Sequence, residues 1–340
     1  MDKKPFFSIG IPVYNTEKYM ARCIDSILCQ GFTDYEIIVT DDGGSDGSID
    51  IVRGYNDSRI KIISKPNGGL PAARNTAANF ACGEYIYFLD SDDTMCPDAM
   101  QNAYDGIVKN NYPDLLHTGF IRVVDGKETL CPAGNPAPDF FDGCATGDER
   151  WIKMWDKHLT PNQVMTKFIK LDFLKRSGVS FSTRLFAQED SDFTFNICRK
   201  AETMAFADFY AFRYFKNQEN SMSTVWSYKS LACAFTRWHN FFYCDAEFYK
   251  LGDEYRKILE KRRVRFLEQM RDGIVALCFS RNDEELYKII SLIETYFGKD
   301  IRKLPLSGGS YAFLNPLYKL LGIKATVKLL RIAIRMRGNK

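Results

Sequence analysis

The 340-residue chain is 45% hydrophobic and 14% aromatic, enough for one large domain or two smaller ones. Its net charge of +3 is unevenly placed: Arg302 to Lys340 hold nine Lys or Arg and no Asp or Glu, so the body is mildly acidic and offers no nucleic-acid groove. Ten cysteines without a CxxC pair, and three histidines remote from any cysteine cluster, exclude the usual zinc spacings, while no apolar run approaches the roughly 18 residues of a membrane span.

Lys3 and Lys4 precede a short apolar run broken by Pro12, which is not a signal-peptide pattern, so the reducing cytoplasm is the expected compartment. Phe6 to Val13 reads as a first strand, and Thr16 as the N-cap of a helix whose apolar positions are Tyr19, Met20, Cys23, Ile24, Ile27 and Leu28, with Gly31 beyond its end. Tyr35 to Thr40 is a second strand, ending in Asp41-Asp42-Gly43-Gly44, and Asp46 is placed to cap a helix through about Tyr55. A third strand, Arg59 to Ser64, ends at Pro66-Asn67-Gly68-Gly69; a helix follows from Leu70 to Cys82 and is closed by Gly83. Tyr85 to Leu89 is apolar or β-favouring and runs straight into Asp90-Ser91-Asp92-Asp93.

This alternation predicts a Rossmann-like, mostly parallel sheet with flanking helices. It brings Tyr14-Asn15, Asp41-Asp42, Asn67-Gly69 and Asp90-Asp93 to the C-terminal ends of four strands, the edge where open α/β sheets bind ligands. Asp90 and Asp92 are two apart, so in extended backbone both carboxylates face one way and repel unless a divalent cation joins them. An oxygen-only set suits Mg²⁺ or Mn²⁺ bridging to a phosphate-bearing ligand. The bland reading of the same stretch is an acidic turn before a helix from Pro97.

Beyond it, Pro97 to Asn110 reads as a helix and Asp114 to Val124 as strand. Residues 125–147, rich in Gly and Pro, read as loop. A helix near Asp148 to Lys157, a segment Val164 to Lys170 and a helix Leu171 to Ser177 follow. Glu189-Asp190 opens an apolar helix, where acids serve either as dipole partners or as catalytic groups. Residues 224–298 read as mostly helical and rich in aromatics, a surface that offers an oligomer interface.

Ile11 to Asn15, Val39 to Gly43, Asn67-Gly68-Gly69 with Ala73-Arg74-Asn75, Asp90 to Asp93, and Glu189-Asp190, in this order, closely resemble family 2 glycosyltransferases, which are inverting enzymes of GT-A fold. The resemblance is specific over residues 6–98, thins through the following region and returns at Glu189-Asp190. It implies a GT-A domain over 1–220, with a nucleotide-sugar half (1–98) and an acceptor half (99–220), then a helical region over 221–340. Carried over by motif, Pro12, Tyr14 and Asn15 belong to the nucleotide pocket. Asp42 accepts the uracil N–H beside Asp41, and Arg74 contacts diphosphate or ribose. Gly69, Asp90 and Ser91 lie on the sugar-nucleotide side. Asp92 with Asp90 holds the Mn²⁺ or Mg²⁺, and Asp190 is the general base supported by Glu189. Gly44 stands where the family's Asp-Asp-Gly-Ser carries Ser, a small departure.

The implied donor is a UDP-hexose or UDP-N-acetylhexosamine, with a dTDP-sugar as alternative. The implied acceptor is a saccharide, free or lipid-linked, in cell-surface polysaccharide synthesis. A catalytically silent scaffold of the same fold is the contrasting reading. A dehydrogenase is disfavoured because Gly10-Ile-Pro-Val-Tyr-Asn replaces Gly-x-Gly-x-x-Gly after the first strand. In the tail, residues 316–340, Lys324, Lys328, Arg331 and Arg335 form one helical stripe beside an apolar face of Ile323, Val327, Leu330 and Ile334. Such a helix lies on an anionic membrane surface or packs its apolar face on protein; both readings stand.

Overall fold

A computed structural model describes residues 4–137, 139–159, 163–183, 189–216 and 253–258. The first strand, β1 (Phe7–Val13), is buried at all seven positions because it lies between two parallel neighbours and is covered on both faces. These neighbours are β2 (Tyr35–Asp41) and β4 (Tyr85–Phe88); β3 (Ile60–Ser64), half-buried, forms the edge beyond β2. The register pairs Val13 with Asp41, Asp41 with Ser64 and Gly10 with Phe88. The segments after these four strands therefore emerge level on one edge, as expected from the sequence.

Helix α1 (Glu17–Leu28) buries Met20, Cys23, Ile24 and Ile27, one helical stripe against the sheet. Its N-terminus corrects the expected cap. Thr16 makes no side-chain cap bond; instead an Asp46 carboxylate oxygen accepts from the Glu17 amide at 2.9 Å. The other Asp46 oxygen accepts from the Ser48 amide at 3.1 Å, at the start of α2 (Ser48–Gly54), so one side chain serves two helices. Helix α3 (Leu70–Phe80) follows Gly69, whose φ of +84° is open to glycine and strained for other residues. It packs closely on β1: a Cβ on Gly10 would lie 2.9 Å from that of Ala77.

The mostly parallel sheet expected from the sequence holds for β3-β2-β1-β4 and gives way to a mixed sheet beyond. Strand β8 (Lys167–Lys170) runs antiparallel to β4 and to β6 (Leu115–Val124). Strand β9 (Met204–Phe215) is parallel to β6, and the short β5 (Thr94–Met95) is antiparallel to β9. Residues 125–147, expected as loop, contain β7 (Lys127–Cys131), paired antiparallel with β6. Helices α4 (Ala99–Lys109), α5 (Gly147–Asp156), α6 (Leu171–Ser177) and α7 (Glu189–Lys200) complete the domain.

All of these elements lie in one compact unit, residues 1–185 and 189–221. Of the second unit, residues 186–188 and 222–340, only 253–258 are described, and they are helical. The rest of the helices expected over 224–298 and the basic tail 316–340 lie outside the described residues. Among the described residues no helix is long and apolar enough to cross a membrane.

Candidate active site

The edge formed by β1, β2 and β3 presents Tyr14, 52% exposed, directly after β1, while Pro12 is buried within the strand. Asn15 adopts a left-handed φ of 52°, and its side-chain oxygen accepts from the Ser45 amide at 2.8 Å, tying the first edge segment to the second. Asp41 ends β2 half-buried, with one oxygen accepting from the Gly43 amide at 3.1 Å. Asp42 turns inward and is 2% exposed. Its oxygens accept from the Gly68 amide at 3.0 Å, the Gly69 amide at 2.7 Å and the Lys65 ammonium. The carboxylate to which the resemblance gives a uracil contact thus clamps the Asn67–Gly69 turn, and Asp41 is the more open acid at this edge.

After β4, Asp90, Asp92 and Asp93 bring carboxylate oxygens within 4.8 Å of one another, with Ser91 buried between. Burial, then the neighbouring Asp90, pushes the Asp92 carboxyl up to about 6. Burial and the two other acids push Asp93 well above the usual range. One Asp93 oxygen accepts from the Phe215 amide at 2.9 Å; the other is buried with no hydrogen-bond partner. Crowded, desolvated carboxylates of this kind fit a hard divalent cation such as Mn²⁺ or Mg²⁺. Arg22 braces the loop from α1. Its guanidinium donates to the Asp92 carbonyl at 2.6 Å and lies 3.8 Å from the Phe215 ring centre.

The two acidic motifs meet at Arg74, which is 1% exposed. One guanidinium nitrogen donates to Asp90 at 2.7 Å; the other donates to Asp190 at 2.5 Å and lies 3.5 Å from Glu189. Burial opposes the guanidinium charge, and the carboxylates of Asp190, Asp90 and Glu189 outweigh it and hold the proton firmly. Asp190 is raised to about 7: burial is the main cause, Glu189 and Asp90 add to it, and Arg74 and Lys167 oppose it. Arg74, for which the resemblance implies a diphosphate or ribose contact, is here turned onto protein carboxylates.

The structure therefore brings Asp90, Ser91, Asp92, Arg74, Glu189 and Asp190 together, and sets Tyr14, Asn15 and Asp41 along the same sheet edge. Sequence reasoning missed Lys65, Arg22 and the buried Lys167. A basic residue just before Pro66 was a usable signal for the first. Arg22 carried none, since it reads as an ordinary solvated helix charge.

Fold and site together define a GT-A type domain. Residues 8–129, about a third of the chain, match the family model described as glycosyl transferase family 2. The chain is 31% identical over 225 residues to the uncharacterized glycosyltransferase EpsJ of Bacillus subtilis (strain 168), covering 65% of this chain and 64% of that one. It is 43% identical over 142 residues to the hyaluronan synthase of Pasteurella multocida, covering 41% of this chain and 14% of the synthase. The chain thus spans less than two thirds of either relative. Among solved structures, Staphylococcus aureus TarS 1–349 in complex with UDP-GlcNAc shares the fold, with a TM-score of 0.65 and 21% identity over 97% of this chain and 92% of that one.

Proposed function

We propose that the protein is an inverting glycosyltransferase that moves a hexose or N-acetylhexosamine from a UDP-sugar to a saccharide acceptor in surface-polysaccharide synthesis. The observation that carries this reading is the pairing of two acidic sites with different surroundings, Asp90–Asp93 and Glu189–Asp190, across Arg74. The TarS structure of the same fold holds UDP-GlcNAc, which favours a UDP-linked donor.

In this reading Tyr14 and Asn15 border the base, and the half-buried Asp41 accepts its N–H while Asp42 keeps the Asn67–Gly69 turn in place. Asp92 and Asp90 would hold Mn²⁺ or Mg²⁺, which would offset the negative charge of the leaving diphosphate. Asp190, its pKa raised to about 7 and its carboxylate increasingly ionised above neutrality, takes the acceptor hydroxyl proton. The hydroxyl oxygen bonds to the anomeric carbon as the carbon–oxygen bond to the nucleoside diphosphate breaks and its electron pair departs with the diphosphate. Attack opposite the leaving group inverts the centre. Arg74 exchanges part of its carboxylate contact for the diphosphate when donor enters, which joins donor arrival to release of the base.

The domain assignment proposed is 1–220 for catalysis and 221–340 for a helical region, with residues 316–340 contacting an anionic membrane surface where a lipid-linked acceptor would be met. Truncation after Ser310 is then expected to release the protein from anionic liposomes.

The test of function is a panel of UDP-, GDP- and dTDP-sugars incubated with the protein in Mn²⁺ or EDTA, measuring nucleoside diphosphate release and nucleotide binding in the same samples. Metal-dependent release from a UDP-sugar is expected. Neither release nor metal-dependent binding with any donor would refute the proposal in favour of a silent scaffold.

A further inference from the structure

Lys65 directly follows β3 on the edge that carries Tyr14, Asn15 and Asp41. Its amide donates to the Asp41 carbonyl at 3.0 Å, one step past the Asp41–Ser64 pair. Pro66, which has no amide hydrogen, ends the ladder there. The Lys65 side chain is 22% exposed, and its ammonium donates to the Pro66 carbonyl at 2.7 Å and to an Asp42 oxygen. It also lies against Gly68, where a Cβ would meet the ammonium nitrogen at 2.8 Å and the Ala72 Cβ at 3.0 Å. Gly68 has no left-handed φ, so this close approach accounts for the glycine.

The same Asp42 oxygen accepts from the Gly68 amide at 3.0 Å, and the second oxygen accepts from the Gly69 amide at 2.7 Å. Three donors are thus spread over both oxygens of a carboxylate that is 2% exposed, and Lys65 is the cation among them. Without the ammonium, a desolvated anion would be left with two neutral donors, which do not balance its charge. Asp41 differs: among the described residues its carboxylate takes only the Gly43 amide, at 3.1 Å. Gly43 in turn packs on the clamped segment, since a Cβ on it would lie 3.0 Å from the Asn67 amide nitrogen and 3.4 Å from the Lys65 carbonyl. The acid open to ligand and the turn held by Lys65 therefore meet through Gly43.

Farther along α3 the helix is anchored separately. The Asn75 side chain donates to the Phe181 carbonyl and accepts from the Phe181 amide, both at 2.8 Å, and Arg74 is bound to Asp90 and Asp190. A change at Lys65 should therefore stay within the turn.

We infer that Lys65 is a positioning residue for the base end of the donor: its ammonium commits Asp42 to the Asn67–Gly69 turn, which leaves Asp41 set to receive the base. The inference rests on the base contact given to Asp41 in the proposed function.

The test is calorimetric titration of UDP and of inorganic diphosphate, each with Mn²⁺, into the full chain, Lys65→Met, Gly68→Ala and the double variant. Methionine keeps the apolar stem and stops short of Gly68, because the Lys65 Cε lies 3.8 Å from the Cβ position there. Each single variant is expected to bind UDP about tenfold more weakly, with diphosphate affinity unchanged. The double variant should be less than about threefold weaker than Lys65→Met, since the group that the new methyl meets is gone. UDP affinity unchanged in Lys65→Met overturns the inference. Equal weakening for UDP and diphosphate overturns it too, because it shows general loosening. Should Lys65→Met fail to fold, Gly68→Ala decides by the same two readings. A parent protein that bound neither ligand would refute the proposed function. Hydrogen exchange of the Gly68 and Gly69 amides then judges Lys65 by itself: about tenfold faster exchange is expected in Lys65→Met, and an unchanged rate overturns the clamp.

Discussion

Arg74 and Asp190 are 116 positions apart in sequence and 2.5 Å apart in space, and the same guanidinium reaches Asp90 at 2.7 Å. One buried side chain therefore links the acids after β4 to the acids at the start of α7. A planar fork can bridge two carboxylates at once, and a lysine ammonium is a single point charge that cannot copy that geometry.

Arg74→Met should destabilise the domain by about 3–5 kcal/mol, because it leaves desolvated carboxylates without their partner. Arg74→Lys should recover part of the stability and little of the turnover. Urea denaturation with nucleotide release on the same samples separates the two effects. Parent-like stability in Arg74→Met would contradict the bridging role.

On the same sheet edge, Asp46 rather than Thr16 holds the start of α1. Asp46→Ala should cost about 1–2 kcal/mol, since it removes amide acceptors at two helix starts. Thr16→Ala should change stability by less than about 0.5 kcal/mol. Thermal melts of both variants check the order; a larger loss in Thr16→Ala would contradict it.

The strands, the spacing of Met20, Cys23, Ile24 and Ile27, and the four edge segments were legible in the sequence, because each depends on local pattern and short connections. Which oxygen meets which amide was not: Asp46 reaches Glu17 across 29 positions, and Thr16 has the same cap chemistry written beside the helix. Strand β7 escaped because four of its five residues are exposed, so no apolar alternation marks it among glycines and prolines. The antiparallel insertion of β8 between β4 and β6 is a tertiary choice with no local signature. At the site, the acids were legible as a set, but the division between Asp41 and Asp42 depends on which one turns toward Gly68 and Gly69.

Glu36 gives a pH test away from the site. Its side chain is 5% exposed and accepts from Ser8 at 2.6 Å, Lys61 at 2.7 Å and the Cys82 amide at 2.8 Å. Burial pushes its pKa up, but the bonds from Lys61, Ser8 and Cys82 outweigh it and hold the carboxyl below its ordinary value. The folded pKa is lowered, so this contribution is fully present above the unfolded value of about 4.3 and is lost as pH falls through the folded one. Stability measured by urea denaturation should fall more steeply below about pH 4.3 in the parent than in Glu36→Gln. Equal slopes would show that Glu36 is not held as an anion.

Close approach of α3 to β1 gives another check. A Cβ on Gly10 would sit 2.9 Å from the Ala77 Cβ and 3.3 Å from the Phe88 ring. Gly10→Ala should cost about 1–3 kcal/mol, and Ala77→Gly about 1 kcal/mol through helix propensity. The double variant should lose less than the sum, because the second change opens room for the first. Strict additivity in a double-mutant cycle would place the strain elsewhere.

In the proposed function the acids after β4 hold the metal-bound donor while Asp190 serves the chemistry. The most direct measurement is calorimetric titration of UDP, with and without Mn²⁺, into the parent protein, Asp92→Asn and Asp190→Asn. Mn²⁺-dependent binding is expected in the parent and in Asp190→Asn, and binding weaker by about tenfold or more in Asp92→Asn. Equal UDP affinity in Asp92→Asn, or binding lost in Asp190→Asn, would contradict the division of labour between the two acidic motifs.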